Sequence, residues 1–182
     1  KLVIETFDNV FIENVQSDIY HLAITAKYQI GWDDTAVFEH RQFPCLHHSL
    51  TKQEWWQLDL ISRIQNQQLQ DKIKNEKFVS ATINLAVPSS IQFPHSHNEP
   101  LVLLYYINPE WKNEYYGETI FYNNTLTDSI SSVLFKPNRA ILFDGSIPHS
   151  IRPASHIAPS YRFTLTAFFK EKNFIEESRN SS

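Results

Sequence analysis

The chain has 182 residues, of which 42% are hydrophobic and 14% aromatic, and these values suit one domain with a sizeable core. Its formal net charge of −4 argues against binding to the nucleic-acid backbone, because such proteins present a basic face. No apolar run approaches the roughly 18 residues of a membrane span, and the single Cys45 excludes an internal disulfide. We therefore expect a cytoplasmic protein that acts neither on nucleic acid nor in a membrane.

The first 75 residues carry mainly helical patterns. Residues 2–7 alternate weakly, which predicts an edge strand, and residues 12–27 have apolar side chains at helical spacing. Residues 31–50 are rich in aromatics and histidines without any period. We expect an ordered loop there, in which His47 and His48 are exposed to solvent.

A second helix is predicted after this loop. Thr51 and Glu54 form a capping-box signature, an N-terminal hydroxyl with a glutamate three residues later. The helix would run to about residue 74 and direct Trp55, Leu58, Ile61 and Ile64 inward.

From residue 76 onwards the pattern changes to period two, and turn-forming residues separate short runs that predict strands. The predicted strands cover residues 82–87, 101–107, 118–123, 132–135, 140–144 and 161–170. Helices followed by many short strands predict a mainly β protein with N-terminal helices, a jelly roll or barrel with the helices packed outside. A parallel α/β sheet would need a helix between successive strands, and the pattern shows none. We divide this single domain into a helical support region (1–75), a jelly-roll core (76–170) and a tail (171–182).

Ligand-type side chains are densest between residues 93 and 99. Residues two apart on an extended segment project to the same side, so His95 and His97 can reach one point in space. A His-x-His pair alone is a weak signal in a chain with eight histidines. His149 strengthens it, because it follows an apolar strand and a metal site in a barrel takes ligands from distant strands. These three histidines are the candidate metal ligands.

Arg162 is the candidate anchor for an anionic ligand. On the predicted strand that follows, Arg162, Thr164 and Thr166 share one face, and Phe163 and Leu165 share the other. An arginine directed into a barrel would be costly to bury unpaired, and a carboxylate would satisfy it with two parallel hydrogen bonds. The alternative is a solvated arginine on an edge strand, paired with an acidic neighbour.

Taken together, residues 93–169 resemble the catalytic core of the prolyl 4-hydroxylase-like branch of the 2-oxoglutarate and Fe(II)-dependent dioxygenases. The resemblance is carried, in chain order, by His95-x-His97, Tyr105-Tyr106-Ile107-Asn108-Pro109-Glu110-Trp111, Gly117-Glu118-Thr119, Arg139-Ala140-Ile141-Leu142-Phe143-Asp144-Gly145, Pro148-His149 and Arg162-x-Thr164. The Asn-Pro-Glu-Trp and Gly-Glu-Thr segments are more specific than the histidine motif.

The resemblance implies a double-stranded β-helix in which two histidines and one carboxylate bind Fe(II). His95 and His149 match the histidine ligands. The family has Asp or Glu at the third position, where this chain has His97, so the iron site would carry one more positive charge. We favour His97 as a ligand. The other interpretations are a carboxylate from elsewhere, with Glu99 nearest, or a jelly-roll module that binds metal without turnover. A three-histidine, cupin-like dioxygenase that needs no 2-oxoglutarate is a further alternative.

The resemblance also implies a site for 2-oxoglutarate and a reaction with molecular oxygen. Arg162 matches the residue that holds the far carboxylate of 2-oxoglutarate, and Thr164 matches the hydroxyl that assists it. Tyr106 matches a tyrosine that can bond to the co-substrate, and a register error of one residue would place Tyr105 there instead. The implied activity is hydroxylation of a C–H bond in an amino-acid, peptidyl or other small substrate.

One loop departs from the family pattern without touching the implied chemistry. Tyr116 stands in the first of two positions that are usually glycine, which we expect to affect a turn. Trp111, at the start of the same loop, is interpreted as a packing residue. The segments 28–43 and 111–116 are the candidate mouth elements, because loops on a rigid scaffold usually set specificity.

Overall fold

The computed structural model describes residues 3–31, 38–43 and 45–172, and the statements below refer to these residues. Their strands form two antiparallel sheets. The larger has the order β1-β8-β5-β10-β4-β3-β2 and the smaller the order β7-β6-β9. The strands are β1 (Ile4–Phe7), β2 (Gln29–Ile30), β3 (Leu46–Ser49), β4 (Lys77–Ala86), β5 (Leu101–Tyr106), β6 (Thr119–Tyr122), β7 (Ser129–Val133), β8 (Ala140–Phe143), β9 (His149–Ile151) and β10 (Arg162–Lys170). This is the predicted mainly β architecture.

The helices pack on the outer face of the larger sheet. They are α1 (Glu13–Thr25), α2 (Lys52–Leu58), α3 (Leu60–Arg63) and α4 (Gln67–Ile73), with 3₁₀ turns at Phe38–Gln42 and Asn113–Tyr115. Buried side chains of the helices, such as Ile19 and Leu69, share one apolar core with Ile83 of β4 and Leu165 of β10. The prediction of helices outside a jelly roll is confirmed. None of the described helices has the length and apolar character that a membrane crossing requires.

The N-terminal predictions are confirmed where the signal was local. The edge strand is β1, which pairs only with β8 in the sheet order. The capping box is complete, since the Thr51 hydroxyl accepts from the Glu54 N–H at 3.1 Å and the Glu54 carboxylate accepts from the Thr51 N–H at 2.7 Å.

The single helix predicted to residue 74 is wrong. Asp59 adopts a left-handed conformation with φ of 45°, and Ile64 is extended, so three short helices replace it.

The prediction of a loop over residues 31–50 is wrong in part; residues 32–37 and 44 lie outside the described residues. β3 runs through this segment and pairs with β4, so His47 and His48 stand on a strand and are half-buried. His48 is held by structural contacts, with its ring nitrogens 3.2 Å from the Lys27 carbonyl and 3.1 Å from the Glu54 carboxylate. An aperiodic sequence hid the strand, because β3 is buried unevenly on both faces.

The strands predicted after residue 76 are present, with ends shifted by a few residues. β4 begins earlier than predicted, at Lys77, and β7 covers Ser129–Val133 instead of residues 132–135. β9 was not predicted, since three residues are too few to show a period. Three strands of the proposed support region, β1, β2 and β3, belong to the larger sheet and so form part of the jelly roll.

A second apolar core lies between the two sheets. It joins Leu104 and Tyr106 of β5, Phe143 of β8 and Phe121 of β6, all buried. Alternation along the strands separates this interior from the helix-covered face. The site described next occupies the part of the interior beside this core.

Candidate metal centre

The backbone places two of the predicted ligands opposite each other. His95 and His149 form an antiparallel bridge in which each N–H donates to the other's carbonyl, at 3.0 and 2.9 Å. Residues paired in this way face the same side of a sheet. The His97 N–H donates to the Gly145 carbonyl at 2.7 Å, which extends the pairing and turns the third histidine toward the same space.

The three histidines converge on one point. One ligand nitrogen from each of His95, His97 and His149 lies within 4.8 Å of the others. The ring centroids are 5.0 Å apart for His95 and His97, 4.6 Å for His95 and His149, and 5.1 Å for His97 and His149. The structure thus brings together the three residues that the sequence singled out, and their role as ligands stays a prediction.

Two of the rings are oriented by their own backbone. The Nδ1 atom of His95 lies 3.0 Å from the Phe93 carbonyl, and that of His149 lies 2.9 Å from the Ile147 carbonyl. A carbonyl can only accept, so Nδ1 carries the proton in both rings, and in its neutral form each ring then has on Nε2 the lone pair that a metal needs.

The surroundings keep two of the imidazoles, those of His97 and His149, neutral. Burial, and secondarily the charge that His95 can carry, lowers the pKa of His97 to about 3. Burial also holds the pKa of His149 well below its usual range, with smaller contributions from His95 and His97. Aromatic rings form part of the walls, with Phe168 4.8 Å from His97 and Phe143 4.8 Å from His149. Neutral imidazoles are the form that binds metal ions.

This donor set fits a transition metal. Three imidazole nitrogens at one point suit iron, nickel, copper or zinc, whereas Mg²⁺ and Ca²⁺ prefer oxygen. Among the described residues no carboxylate belongs to the group, and Glu99 does not join it. The centre therefore departs from a two-histidine, one-carboxylate set at His97.

Arg162, the first residue of β10, is buried with part of its hydrogen-bonding capacity unused. It is 2% exposed, and its Nε donates to the Gly117 carbonyl at 2.8 Å. Its Nη2 atom is buried without a hydrogen-bond partner among the described residues. Burial lowers the pKa of Arg162 to about 10, so the guanidinium is still a cation at neutral pH. The alternative of a solvated edge arginine is wrong, because β10 lies inside the sheet. An unpaired buried cation fits a carboxylate-bearing ligand.

The structure decides between the two tyrosines. The Tyr106 hydroxyl lies on the interior side, 2.7 Å from the Thr119 hydroxyl and 3.1 Å from the Val133 carbonyl. Tyr105 points to the helix-covered core and donates to Asn138 at 3.2 Å. Tyr106 is therefore the tyrosine on the interior side, which Thr164 also faces two residues after Arg162, and the roles of both in binding the co-substrate stay predictions.

A cavity of about 210 Å³ opens between the sheets over the three histidines. Its other lining residues include Thr119 and Thr164, and a set of polar side chains to which the sequence pattern assigns no role in the site. These are Cys45, His47, Ser49, Thr82, Asn84 and Thr166. The polar half of the alternation in β4 was a visible signal for Thr82 and Asn84, but it resembles an ordinary solvated face.

Comparison with solved structures matches the whole architecture. A prolyl-4-hydroxylase from Pseudomonas putida superimposes with a TM-score of 0.63 at 13% identity, covering 92% of both chains. A prolyl hydroxylase from Trichoplax adhaerens, solved with a peptide fragment of the hypoxia inducible factor oxygen degradation domain, gives 0.64 at 16% identity, covering 98% of this chain and 87% of that one. HygX from Streptomyces hygroscopicus, with nickel and 2-oxoglutarate bound, gives 0.65 at 11% identity, covering 94% and 84%.

The chain has the fold of the prolyl 4-hydroxylase-like 2-oxoglutarate oxygenases. The predicted double-stranded β-helix is confirmed by these neighbours. No protein-family model matches the sequence, and a search of curated proteins finds no match. At 10–16% identity the likeness concerns the fold, and the chemistry has to be argued from this chain's own residues.

Proposed function

We propose that the protein is a metal-dependent oxygenase that uses Fe(II) and 2-oxoglutarate to hydroxylate a C–H bond. One observation carries the proposal: three imidazoles converge in an interior that also contains a buried guanidinium with an unpaired Nη2 atom. A structural metal site would need four closed ligands and no buried cation nearby. An open three-ligand centre and a carboxylate anchor within one interior are what a chelating co-substrate requires.

Each residue then has one task. His95, His97 and His149 hold the metal, and the carbonyls of Phe93 and Ile147 fix two of the rings. Bound there, Fe(II) would activate molecular oxygen, of which one atom would enter the hydroxylated substrate and the other the succinate that forms, with CO₂, from 2-oxoglutarate.

The co-substrate would be oriented from the other end. The Arg162 guanidinium pairs with the far carboxylate, and the Thr164 hydroxyl donates to the same group. Gly117 holds Arg162 through its carbonyl and leaves space for the side chain, since a Cβ at Gly117 would lie 3.1 Å from Arg162 Cδ and Nε. The rings of Phe135 and Tyr106 lie 5.2 and 5.6 Å from the Arg162 guanidinium, and the water that they exclude would otherwise weaken this ion pair.

His97 as a third ligand changes the charge of the centre. A carboxylate would cancel one of the two positive charges of Fe(II), and an imidazole cancels none. Imidazole donors bind Ni(II), Cu(II) and Zn(II) more tightly than Fe(II). We therefore expect the site to select Fe(II) over these metals less well than a site with a carboxylate ligand does. The metal found in the purified protein should therefore be the one that was supplied.

The proposal is tested by adding Fe(II) and 2-oxoglutarate to the protein without oxygen. We expect a visible charge-transfer band, and succinate after oxygen is admitted. Arg162→Met removes the buried cation and keeps a long, unbranched side chain. This variant should still bind the metal and lose the band. Arg63→Met, on α3 outside the sheet, is the matched control and should keep it. Absence of a band in the unaltered protein, with no thermal stabilisation by either ligand, would overturn the proposal.

The absence of a carboxylate from the described donor set supports a second candidate, a three-histidine dioxygenase that binds its substrate directly. In that case Arg162→Met would leave oxygen consumption unchanged. A module that binds metal without turnover would take up Zn(II) or Ni(II) tightly, and 2-oxoglutarate would have no effect on it.

A further inference from the structure

The interior face of the larger sheet has two chemically different halves. Under β5 and β8 it is apolar, with Leu104, Ile141 and Phe143 packed into the second core. Under β10, β4 and β3 it carries hydroxyl, amide and imidazole groups that line the cavity. A jelly roll that only needed a core would place apolar residues in both halves.

The polar half is built from two cross-strand rows. In the first, His47 of β3 is opposite Asn84 of β4, which is opposite Thr164 of β10. In the second, Ser49 is opposite Thr82, which is opposite Thr166. Neighbouring strands lie about 4.8 Å apart, so each row extends roughly 10 Å from β10 toward the edge of the sheet. We call the four outer residues, His47, Ser49, Thr82 and Asn84, the polar wall.

The polar wall has hydrogen-bonding capacity that the protein does not use. The Asn84 amide donates to the Thr166 hydroxyl at 3.4 Å, a long contact. In the described part of the chain, the side chains of His47, Ser49 and Thr82 make no hydrogen bond. His47, Thr82 and Asn84 are half-buried, and half-buried polar groups without protein partners are satisfied by water or by a ligand.

The wall also lacks formal charge. Among the described residues that line the cavity, none is Asp, Glu, Lys or Arg; Arg162, which we assign to 2-oxoglutarate, is buried outside this lining, two residues before Thr164 on β10. A site for a carboxylate or an ammonium substrate would offer an ion-pairing partner, because transfer of an unpaired charge into such a cavity is costly. A site for a hydrocarbon would not expose amide and hydroxyl groups to it.

We infer that the polar wall is the substrate-recognition surface, and that it selects an uncharged substrate bearing several hydroxyl or amide groups. The inference rests on the proposed function, since Thr164 and the histidines assign the rest of the cavity to co-substrate and metal. Thr82 and Asn84 are its central specificity-determining residues, because they stand between β3 and β10 in both rows.

The test is a fragment screen by saturation-transfer NMR on protein loaded with Ni(II) and 2-oxoglutarate. The library contains matched sets: methyl glucoside, glucuronate and glucosamine for the hydroxyl class, and N-acetylprolinamide with N-acetylproline for the amide class, together with toluene as an apolar probe. Each fragment is measured against the unaltered protein and against Thr82→Val and Asn84→Leu. Thr6→Val on the edge strand β1 is the isosteric control.

We expect the uncharged polar fragments to bind and to lose affinity in the two wall variants, by about fivefold to tenfold for each hydrogen bond removed. Thr6→Val should behave like the unaltered protein. The two neutral classes distinguish a hydroxylated from an amide substrate. If the fragments sensitive to the wall variants are charged or apolar, or if no fragment is sensitive, the inference is overturned.

This outcome is separable from failure of the proposed function. The charge-transfer band with Fe(II) reports on metal and 2-oxoglutarate without any substrate. A normal band with no wall-dependent binding would reject the polar wall alone. Wall-dependent binding of neutral fragments without a band would reject the oxygenase chemistry. A thermal melt of each variant separates both results from loss of folding.

Discussion

Tyr116 and Gly117 form the turn that supports Arg162, and both have positive φ, 58° and +85°. The ψ of Tyr116 is −142°, a combination that residues other than glycine rarely adopt. The turn is held because the Tyr116 carbonyl accepts from Trp111 Nε1 at 2.7 Å. The Tyr116 ring is also stacked on Arg152, whose guanidinium carbon lies 3.5 Å from the ring centre. A tyrosine in place of the usual glycine was expected to affect this turn, and the structure shows the effect as a strained backbone at Tyr116.

We predict that Tyr116→Gly is more stable than Tyr116→Ala by about 1 kcal/mol in urea unfolding. Both variants lose the stacking on Arg152, which contributes about 0.5–1 kcal/mol at an exposed site. Only glycine relieves the backbone strain of the folded state. Glycine also raises the entropy of the unfolded chain, which lowers the free energy of unfolding, but we expect the relief of strain to be the larger effect. Equal stability of the two variants would contradict the strained turn.

At the scale of an element, the turn between β8 and β9 sets the distance between the two histidine segments. Gly145 is buried in this turn, and a Cβ there would lie 2.1 Å from the Glu99 carbonyl oxygen. Its own carbonyl accepts the His97 N–H. The absence of a side chain at Gly145 is therefore what allows His97 to approach His149.

Gly145→Ala should weaken metal binding by about 10- to 100-fold, as removal of a support for a ligand commonly does. The added methyl group must push residues 95–99 away from the turn, which separates His97 from the other two histidines. Calorimetric titration with Ni(II) measures the effect. Ser146→Ala, at the exposed neighbouring position, is the control and should bind as the unaltered protein does. Unchanged affinity in Gly145→Ala would show that His97 is not held by this contact.

For the whole molecule, the features predicted from sequence are those with a local physical cause. The capping box at Thr51 and the alternation in β10 depend on neighbours a few residues away, so both could be predicted from the sequence. The break at Asp59 and the strand β3 depend on packing against distant elements, and an aperiodic sequence does not show that. The same holds for the polar wall, because Thr82 becomes interior only when β3 and the smaller sheet are in place.

The candidate site followed the same division. His95 and His97 could be paired from spacing, and His149 and Arg162 could be placed from the resemblance. The unused Nη2 atom of Arg162 and the choice of Tyr106 over Tyr105 needed three-dimensional contacts. The departure at His97 was visible in the sequence, and the structure adds that its ring converges with the other two.

The central claim, that a metal is held by three imidazoles, is tested most directly by X-ray absorption at the iron K-edge of anaerobic protein loaded with Fe(II). The account predicts the multiple-scattering pattern of three histidine ligands, falling to two in His97→Ala. A pattern of two histidines in the unaltered protein, unchanged by His97→Ala, would contradict it.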